Sequence, residues 1–203
     1  MPTQRGEEIA SKDERIALIE MTKILLITGP AGVGKSTLSW EVSAQLTAAG
    51  LRHAAIETDE LDRIFPLPSA SELDDLREGM TDISETNLAS LWGNYRALGC
   101  DRLILSGVMV LLDEARKWIS RAIPNAEFTI IRLLASNETL LSRLERREIG
   151  PGMEDQVRRT LRQADQIATV GSTGAMELKT DGKTPQEIAS ELLHQIGWLT
   201  NHQ

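Results

Sequence analysis

The residues with the clearest chemistry are Gly29-Pro-Ala-Gly-Val-Gly34-Lys35-Ser36-Thr37. Glycines at these positions let successive backbone N–H groups turn inward around phosphate oxygens, and a helix beginning behind them adds positive potential. In a loop of this spacing Lys35 reaches the β/γ-phosphates, Ser36 places its hydroxyl on Mg2+, and Thr37 reaches the α-phosphate. The expectation is a nucleoside triphosphate site built from Gly29, Ala31, Gly32, Val33, Gly34, Lys35, Ser36 and Thr37. Such a loop needs a strand before it and a helix after it. The apolar run Ile24–Ile27 and the amphipathic stretch Leu38–Leu46 supply both.

A second set of reactive groups follows in Glu57-Thr58-Asp59-Glu60-Leu61-Asp62-Arg63. If this segment leaves a parallel strand, it lies at the carboxyl edge of the sheet, where ligands sit. Asp59 can there hold Mg2+ through water, orient an acceptor hydroxyl, or take its proton. Capping a short helix Glu60–Phe65 is the alternative role for Asp59. Arg63, four residues on, can pair with Asp59 or reach an acidic substrate.

Arginines form the third set. Ser136–Arg147 reads as a helix with Leu140, Leu141 and Leu144 inward and Arg143, Arg146 and Arg147 on another face. Arg158, Arg159 and Arg162 follow on a second helical stretch, after the turn Ile149-Gly-Pro-Gly152. Guanidinium groups so close together repel unless an anion joins them, and arginines that neutralise a transferring phosphate speed the reaction by orders of magnitude. Residues 146–163 therefore read as an arginine-rich lid that closes over a triphosphate.

The elements that must position these groups alternate. Strand candidates are Lys23–Thr28, His53–Glu57, Arg102–Ser106, Phe128–Leu134 and Met176–Lys179, with a segment of helical period between each pair. Apolar strands alternating with helices predict an α/β fold whose parallel sheet is covered on both faces. Leu38, Val42 and Leu46 form the inward stripe of the first helix, which stops at Gly50. Capping boxes are expected at Ser69-x-x-Glu72, Asp82-x-x-Glu85 and Thr184-Pro-Gln-Glu187. Trp40, Trp118 and Trp198 read as packing residues, and His53 and His194 as structural.

With 203 residues, the chain has the length of one domain, residues 21–203, plus an extension over residues 1–20 that is helical around Ile9–Ile19 or irregular. The net charge of −8 argues against nucleic acid and anionic membrane as partners. One cysteine excludes an internal disulfide, and no apolar run approaches the ~20 residues that span a bilayer. The expectation is a cytoplasmic protein, monomer or homodimer.

In the loop Gly29–Thr37, Thr58-Asp59, Arg143-Leu-Glu-Arg-Arg147 and Thr180-Asp181-Gly182, the chain resembles the P-loop kinase superfamily of small phosphotransferases. That group includes shikimate, gluconate, adenylylsulfate and adenylate kinases and the chloramphenicol phosphotransferases. The resemblance spans about residues 21–195. It implies a three-layer P-loop NTPase fold with a five-stranded parallel sheet in order 2-3-1-4-5. It also implies Arg143 near the adenine, Arg147 near the phosphates, and Thr180, Asp181 and Gly182 along the base. Leu105-Ser106-Gly107 stands where adenylate kinases carry Asp-Gly, which shifts the expected Mg2+ contacts to Ser36 and Asp59 and weakens the case for a nucleoside monophosphate acceptor.

The segment from Glu57 to Glu85 holds ten acidic residues and two basic ones, a charge equal to that of the whole chain. Residues 60–100 are expected to form the acceptor region, with Asp59, Arg63, Trp92, Arg96 and Arg158 as substrate-binding candidates. These carboxylates either solvate the outer faces of helices Ser71–Gly79 and Ile83–Leu98 or surround the acceptor and repel a phosphorylated or sulfated one; on the second reading the γ-phosphate of ATP goes to a hydroxyl of a small neutral or cationic molecule. A nucleotide or nucleoside kinase, or an ATP-binding switch with slow hydrolysis, is the alternative.

Overall fold

The computed structural model describes residues 21–80, 82–109, 111–147, 153–170 and 174–199. The expected amino-terminal extension at 1–20 and the Gly-Pro-Gly turn at 149–152 lie outside the described residues. Five strands form one sheet: β1 (Thr22–Thr28), β2 (His53–Glu57), β3 (Arg102–Gly107), β4 (Ala126–Leu134) and β5 (Met176–Lys179). All neighbouring pairs are parallel, and the order is β2-β3-β1-β4-β5, as the resemblance implied. Seven helices accompany them among the described residues: α1 (Lys35–Ala48), α2 (Ala70–Leu76), α3 (Ser84–Ala97), α4 (Leu112–Ala122), α5 (Asn137–Arg147), α6 (Met153–Val170) and α7 (Pro185–Gln195).

Side chains alternate across a strand, so β1 feeds two cores. Ile24 and Leu26 pack with Leu88 and Trp92 of α3 and Leu112 and Ile119 of α4. Leu25 and Ile27 pack on the other face with Leu38, Val42 and Leu46 of α1 and Ile188 and Leu192 of α7. Covering both faces lets the central strand be apolar at nearly every position, and its carboxyl end lies where the connection from β1 runs to one side of the sheet, to β2, and that from β3 runs to the other, to β4. The registers bring Glu57 of β2 level with Ser106, Ser106 level with Ile27, and Thr28 level with Gly107 and Arg132.

Local chemistry explains most helix boundaries. Ser69 and Thr184 each close a capping box, with Glu72 and Glu187 as reciprocal partners, and Pro185 occupies the first position of α7. The box expected at Asp82-x-x-Glu85 does not form. Ile83 is the N-cap of α3 and Asp82 accepts the Ser84 N–H at 2.7 Å. Glu85 instead bridges Arg77 at 3.3 Å and Arg121 at 2.8 Å, so its carboxylate holds the ends of two other helices rather than its own.

Two further expectations are corrected. Residues 60–65 form no helix: a single 3-10 turn, Thr58–Glu60, is followed by loop, because Pro66 and Pro68 push the residues before them out of the helical region. Trp40 is 77% exposed, two positions past Leu38 on α1 and therefore on the opposite side from the inward stripe. Trp198, by contrast, is buried as expected.

Candidate active site

The phosphate-type loop leaves β1 at Thr28 and enters α1 at Lys35. Gly29 has φ 150°, and a Cβ there would lie 2.7 Å from the Leu133 carbonyl oxygen, so the loop runs flush against β4 only because this residue has no side chain. Gly34 is the N-cap of α1 in the left-handed region, no side chain caps the helix, and no acidic residue stands in its first turn. The positive end of α1 is thereby left to an outside anion. Lys35 folds back over the loop, its Nζ donating to the carbonyls of Gly29 and Pro30 at 3.0 Å each. Thr28 fixes the neighbouring loop, since its Oγ1 accepts the Met109 N–H at 3.0 Å and donates to the Met109 carbonyl at 3.1 Å.

Two clefts meet at this loop. The larger, about 420 Å3, is lined by the loop from Gly32 to Thr37 together with Arg143, Thr180 and Lys183. Arg143 crosses its floor: one guanidinium nitrogen donates to the Val33 carbonyl at 2.8 Å and to Thr180 Oγ1 at 3.0 Å, the other to the Thr180 carbonyl at 3.3 Å. Arg143 therefore links α5, the phosphate loop and the segment after β5. Asp181 works one step behind it, accepting the Ser136 N–H at 3.2 Å and Thr139 Oγ1 at 2.6 Å. The Thr139 hydroxyl and the Ser136 amide hold its carboxyl below the ordinary range. Asp181 thus secures the start of the helix that carries Arg143; neither it nor Gly182 lines the cleft.

The smaller cleft, about 180 Å3, shares Gly32, Lys35 and Ser36 with the larger and adds Glu57, Asp59, Ser106 and Gln156. Asp59 sits in the 3-10 turn after β2, which is tied to β3 by Thr58 Oγ1 donating to the Ser106 carbonyl at 3.3 Å. Gly107 makes this approach possible, because a Cβ there would overlap Thr58 Oγ1 and stand 3.5 Å from Asp59 Oδ1. The buried Ser106 hydroxyl has no hydrogen-bond partner among the described residues. Glu57 is the site residue that sequence reasoning passed over as a candidate; its placement two residues before Asp59, at the strand's end, is the signal that could have found it. Among the described residues no three or more His, Cys, Asp or Glu converge on a metal site. One hydroxyl and two carboxylates around a phosphate-binding loop nevertheless suit Mg2+, which takes few protein oxygens and completes its shell with water and phosphate.

Other candidates stand elsewhere. Arg63 is 60% exposed and pairs with Glu60 at 2.5 Å rather than with Asp59, since no helix continues to bring i and i+4 together. Trp92 is 4% exposed within the core beneath α3. Arg96 donates to Thr22 Oγ1 at 3.0 Å, at the amino-terminal end of β1 and so at the opposite edge of the sheet. Arg158 is exposed and pairs with Asp155; Arg146, Arg159 and Arg162 are exposed too, and the Arg147 side chain lies outside the described residues. On α6 the buried or half-buried positions are Gln156, Val157, Thr160, Leu161, Gln163, Ala164 and Ile167 among the described residues. Arginines at 158, 159 and 162 are exposed and line neither cleft, so the described residues do not bear out the arginine-rich lid.

A family model described as an AAA domain matches residues 25–162 of the chain. Several solved structures share the fold. A tunicamycin resistance protein from Deinococcus radiodurans is 19% identical, with 88% of this chain and 97% of that chain covered and a TM-score of 0.56. A gluconokinase from Sinorhizobium meliloti 1021 is 17% identical over 88% of this chain and 93% of that one, TM-score 0.53. The APS kinase of Mycobacterium tuberculosis, solved with AMPPNP and APS, is 18% identical over 87% and 98%, TM-score 0.51. At such identities the likeness is one of fold. None of the curated proteins matches the sequence.

Proposed function

Because the chain belongs to the AAA-domain family and has the α/β fold of the P-loop kinases, we propose that it moves the γ-phosphate of MgATP to a hydroxyl of a small neutral or cationic molecule. The observation that carries this reading is the pair of clefts meeting at Lys35 and Ser36, one lined by Arg143 and Thr180, the other by two carboxylates. The nucleotide occupies the larger cleft, with its phosphates along the loop amides and the start of α1. Lys35 leaves the Gly29 and Pro30 carbonyls for the β/γ-phosphates, exchanging neutral acceptors for charged ones. Ser36, with Glu57 and Asp59, would hold Mg2+, which neutralises charge on the phosphate oxygens. The acceptor enters the smaller cleft. Its hydroxyl oxygen bonds to the γ-phosphorus as the bond from that phosphorus to the bridging oxygen breaks, ADP departs, and Asp59 orients the hydroxyl and takes its proton.

The lining of the smaller cleft supports the acceptor class. It contains Glu57 and Asp59, and its one cation among the described residues is Lys35, which the nucleotide's own phosphates engage, so no basic side chain is left over for an acceptor phosphate. Arg63 and Arg96 are engaged elsewhere and Trp92 is in the core, which leaves a base-stacking nucleotide acceptor without its usual contacts. The test is ADP release from MgATP against a panel of sugars, amino-alcohols, aminoglycoside-like compounds, nucleosides and nucleoside monophosphates, with Lys35→Ala as control. Turnover that depends on a neutral or cationic acceptor is expected. A nucleoside monophosphate as the best acceptor would refute the acidic-cleft argument, and slow turnover indifferent to every acceptor would contradict the kinase reading.

A further inference from the structure

Helix α6 carries a polar stripe that the transfer just described does not use. Gln156, Thr160 and Gln163 share one helical face with the buried Ile167. Thr160 is 0% exposed, and its hydroxyl has no hydrogen-bond partner among the described residues. Gln156 lines the smaller cleft. Gln163 reaches the phosphate loop itself: its Oε1 accepts the Ala31 N–H at 3.1 Å, across 132 positions of chain.

The identity of that N–H matters. Ala31 lines the smaller cleft and not the larger one. A phosphate chain that starts in the larger cleft and follows the loop therefore brings only its last phosphate to Ala31. A side-chain oxygen now occupies the place where an anion oxygen would accept that N–H. A carboxamide has one acceptor end and one end with two donors, whereas a phosphate oxygen only accepts. The oxygen end of Gln163 suits the loop without a terminal phosphate, and the amide end suits the loop with one. Thr160, one turn away on the same face, offers its hydroxyl to the second amide hydrogen.

We propose that Gln163 is a ligand of the terminal phosphate, distinguishing a triphosphate from a diphosphate through the Ala31 N–H it holds when that phosphate is absent. This rests on the reading in which the nucleotide lies in the larger cleft. With a triphosphate bound, the Ala31 N–H goes to a γ-oxygen and the carboxamide turns to donate to the same phosphate. With a diphosphate bound, Gln163 keeps Ala31.

The test compares equilibrium affinities of MgADP and of a magnesium complex of a non-hydrolysable ATP analogue, using the full chain as wild type, Gln163→Ala and Gln163→Glu. Gln163→Ala is expected to weaken the analogue about tenfold, the scale of one hydrogen bond to a charged group, and to leave ADP within about twofold. Gln163→Glu still accepts the Ala31 N–H but has no donor and adds a negative charge, so it is expected to weaken the analogue further while ADP again changes little. If Gln163 merely packed α6 against the loop, Gln163→Glu would behave as wild type or both nucleotides would weaken together, and either result overturns the proposal. A wild type that binds both nucleotides with an unchanged ratio in the variants refutes the role of Gln163 alone. A wild type that binds neither refutes the nucleotide reading and this proposal with it.

Discussion

Gly107→Ala tests how tightly the acidic turn is set against the sheet. Gly107 ends β3, so an added methyl costs volume rather than backbone strain. That methyl would overlap Thr58 Oγ1 and lie 3.2 Å from Thr58 Cβ. Rotating Thr58 out of the way forfeits its hydrogen bond to the Ser106 carbonyl, worth about 0.5–1.5 kcal/mol. A β-branched side chain then brings its methyl into the same space. Adding this to the ordinary cost of overpacking, the expected loss of stability is about 2–3 kcal/mol. Urea denaturation of wild type, Gly107→Ala, Thr58→Ala and the double variant measures it, provided the slope is constant. Removing the hydroxyl relieves the worst overlap, so the double variant is expected to be about 1–2 kcal/mol more stable than the two single losses added together. Asp59 moves with Thr58, and turnover of Gly107→Ala is expected to fall by up to about a hundredfold. Strictly additive losses, or a Gly107→Ala variant within about 0.5 kcal/mol of wild type, would refute the close packing of turn against strand.

Other elements make separate predictions. Arg143→Ala removes three hydrogen bonds that join α5, the loop and the segment after β5, so it is expected to destabilise by about 2–3 kcal/mol and to weaken nucleotide binding. Arg143→Lys should recover little of either, because an ammonium cannot present a planar fork to Val33 and Thr180 together; denaturation and nucleotide titration measure the two effects. Asp181 has a carboxyl held below its ordinary value of 3.8 when folded. Its contribution to stability is therefore complete at neutral pH and is lost as pH falls below about 4 through the lowered value. Asp181→Asn is expected to be less stable than wild type at pH 7, with the gap narrowing as pH falls below about 4 in acid titrations of stability. Thr184→Ala opens the capping box of α7 and should cost about 1 kcal/mol without changing nucleotide affinity.

What could be read from the chain was what short stretches decide for themselves. The place of the glycine loop between a strand and a helix, the apolar strands, the stripe Leu38–Val42–Leu46 and two of three capping boxes depend on neighbours a few residues away, and they stand as expected. Glu85 shows where this ends: its local partner lost to Arg77 and Arg121, which only the packing of α3 against its neighbours brings near. The rotation of α6 was hidden for a related reason. Three arginines suggest a phosphate-facing surface, whereas Gln156, Thr160 and Gln163 look neutral until the helix is placed and proves to turn them inward. Arg96 had the right residue type for an acceptor pocket, yet α3 delivers it to the wrong edge of the sheet. Trp40 has the residue type of a packing group, but its position off the Leu38–Val42–Leu46 stripe puts it in solvent.

The measurement that bears most directly on the site is transfer of label from γ-labelled ATP to an accepted hydroxyl compound by Asp59→Asn, set beside that variant's affinity for MgATP. Asparagine keeps the size of the side chain but neither takes a proton at neutral pH nor carries charge. Label transfer is expected to fall about a hundredfold or more, with a much smaller loss of MgATP affinity, up to about tenfold, because Glu57 and Ser36 remain to face Mg2+. Transfer at the wild-type rate would remove Asp59 from the reaction and contradict the assignment of the smaller cleft as the place where the acceptor is phosphorylated.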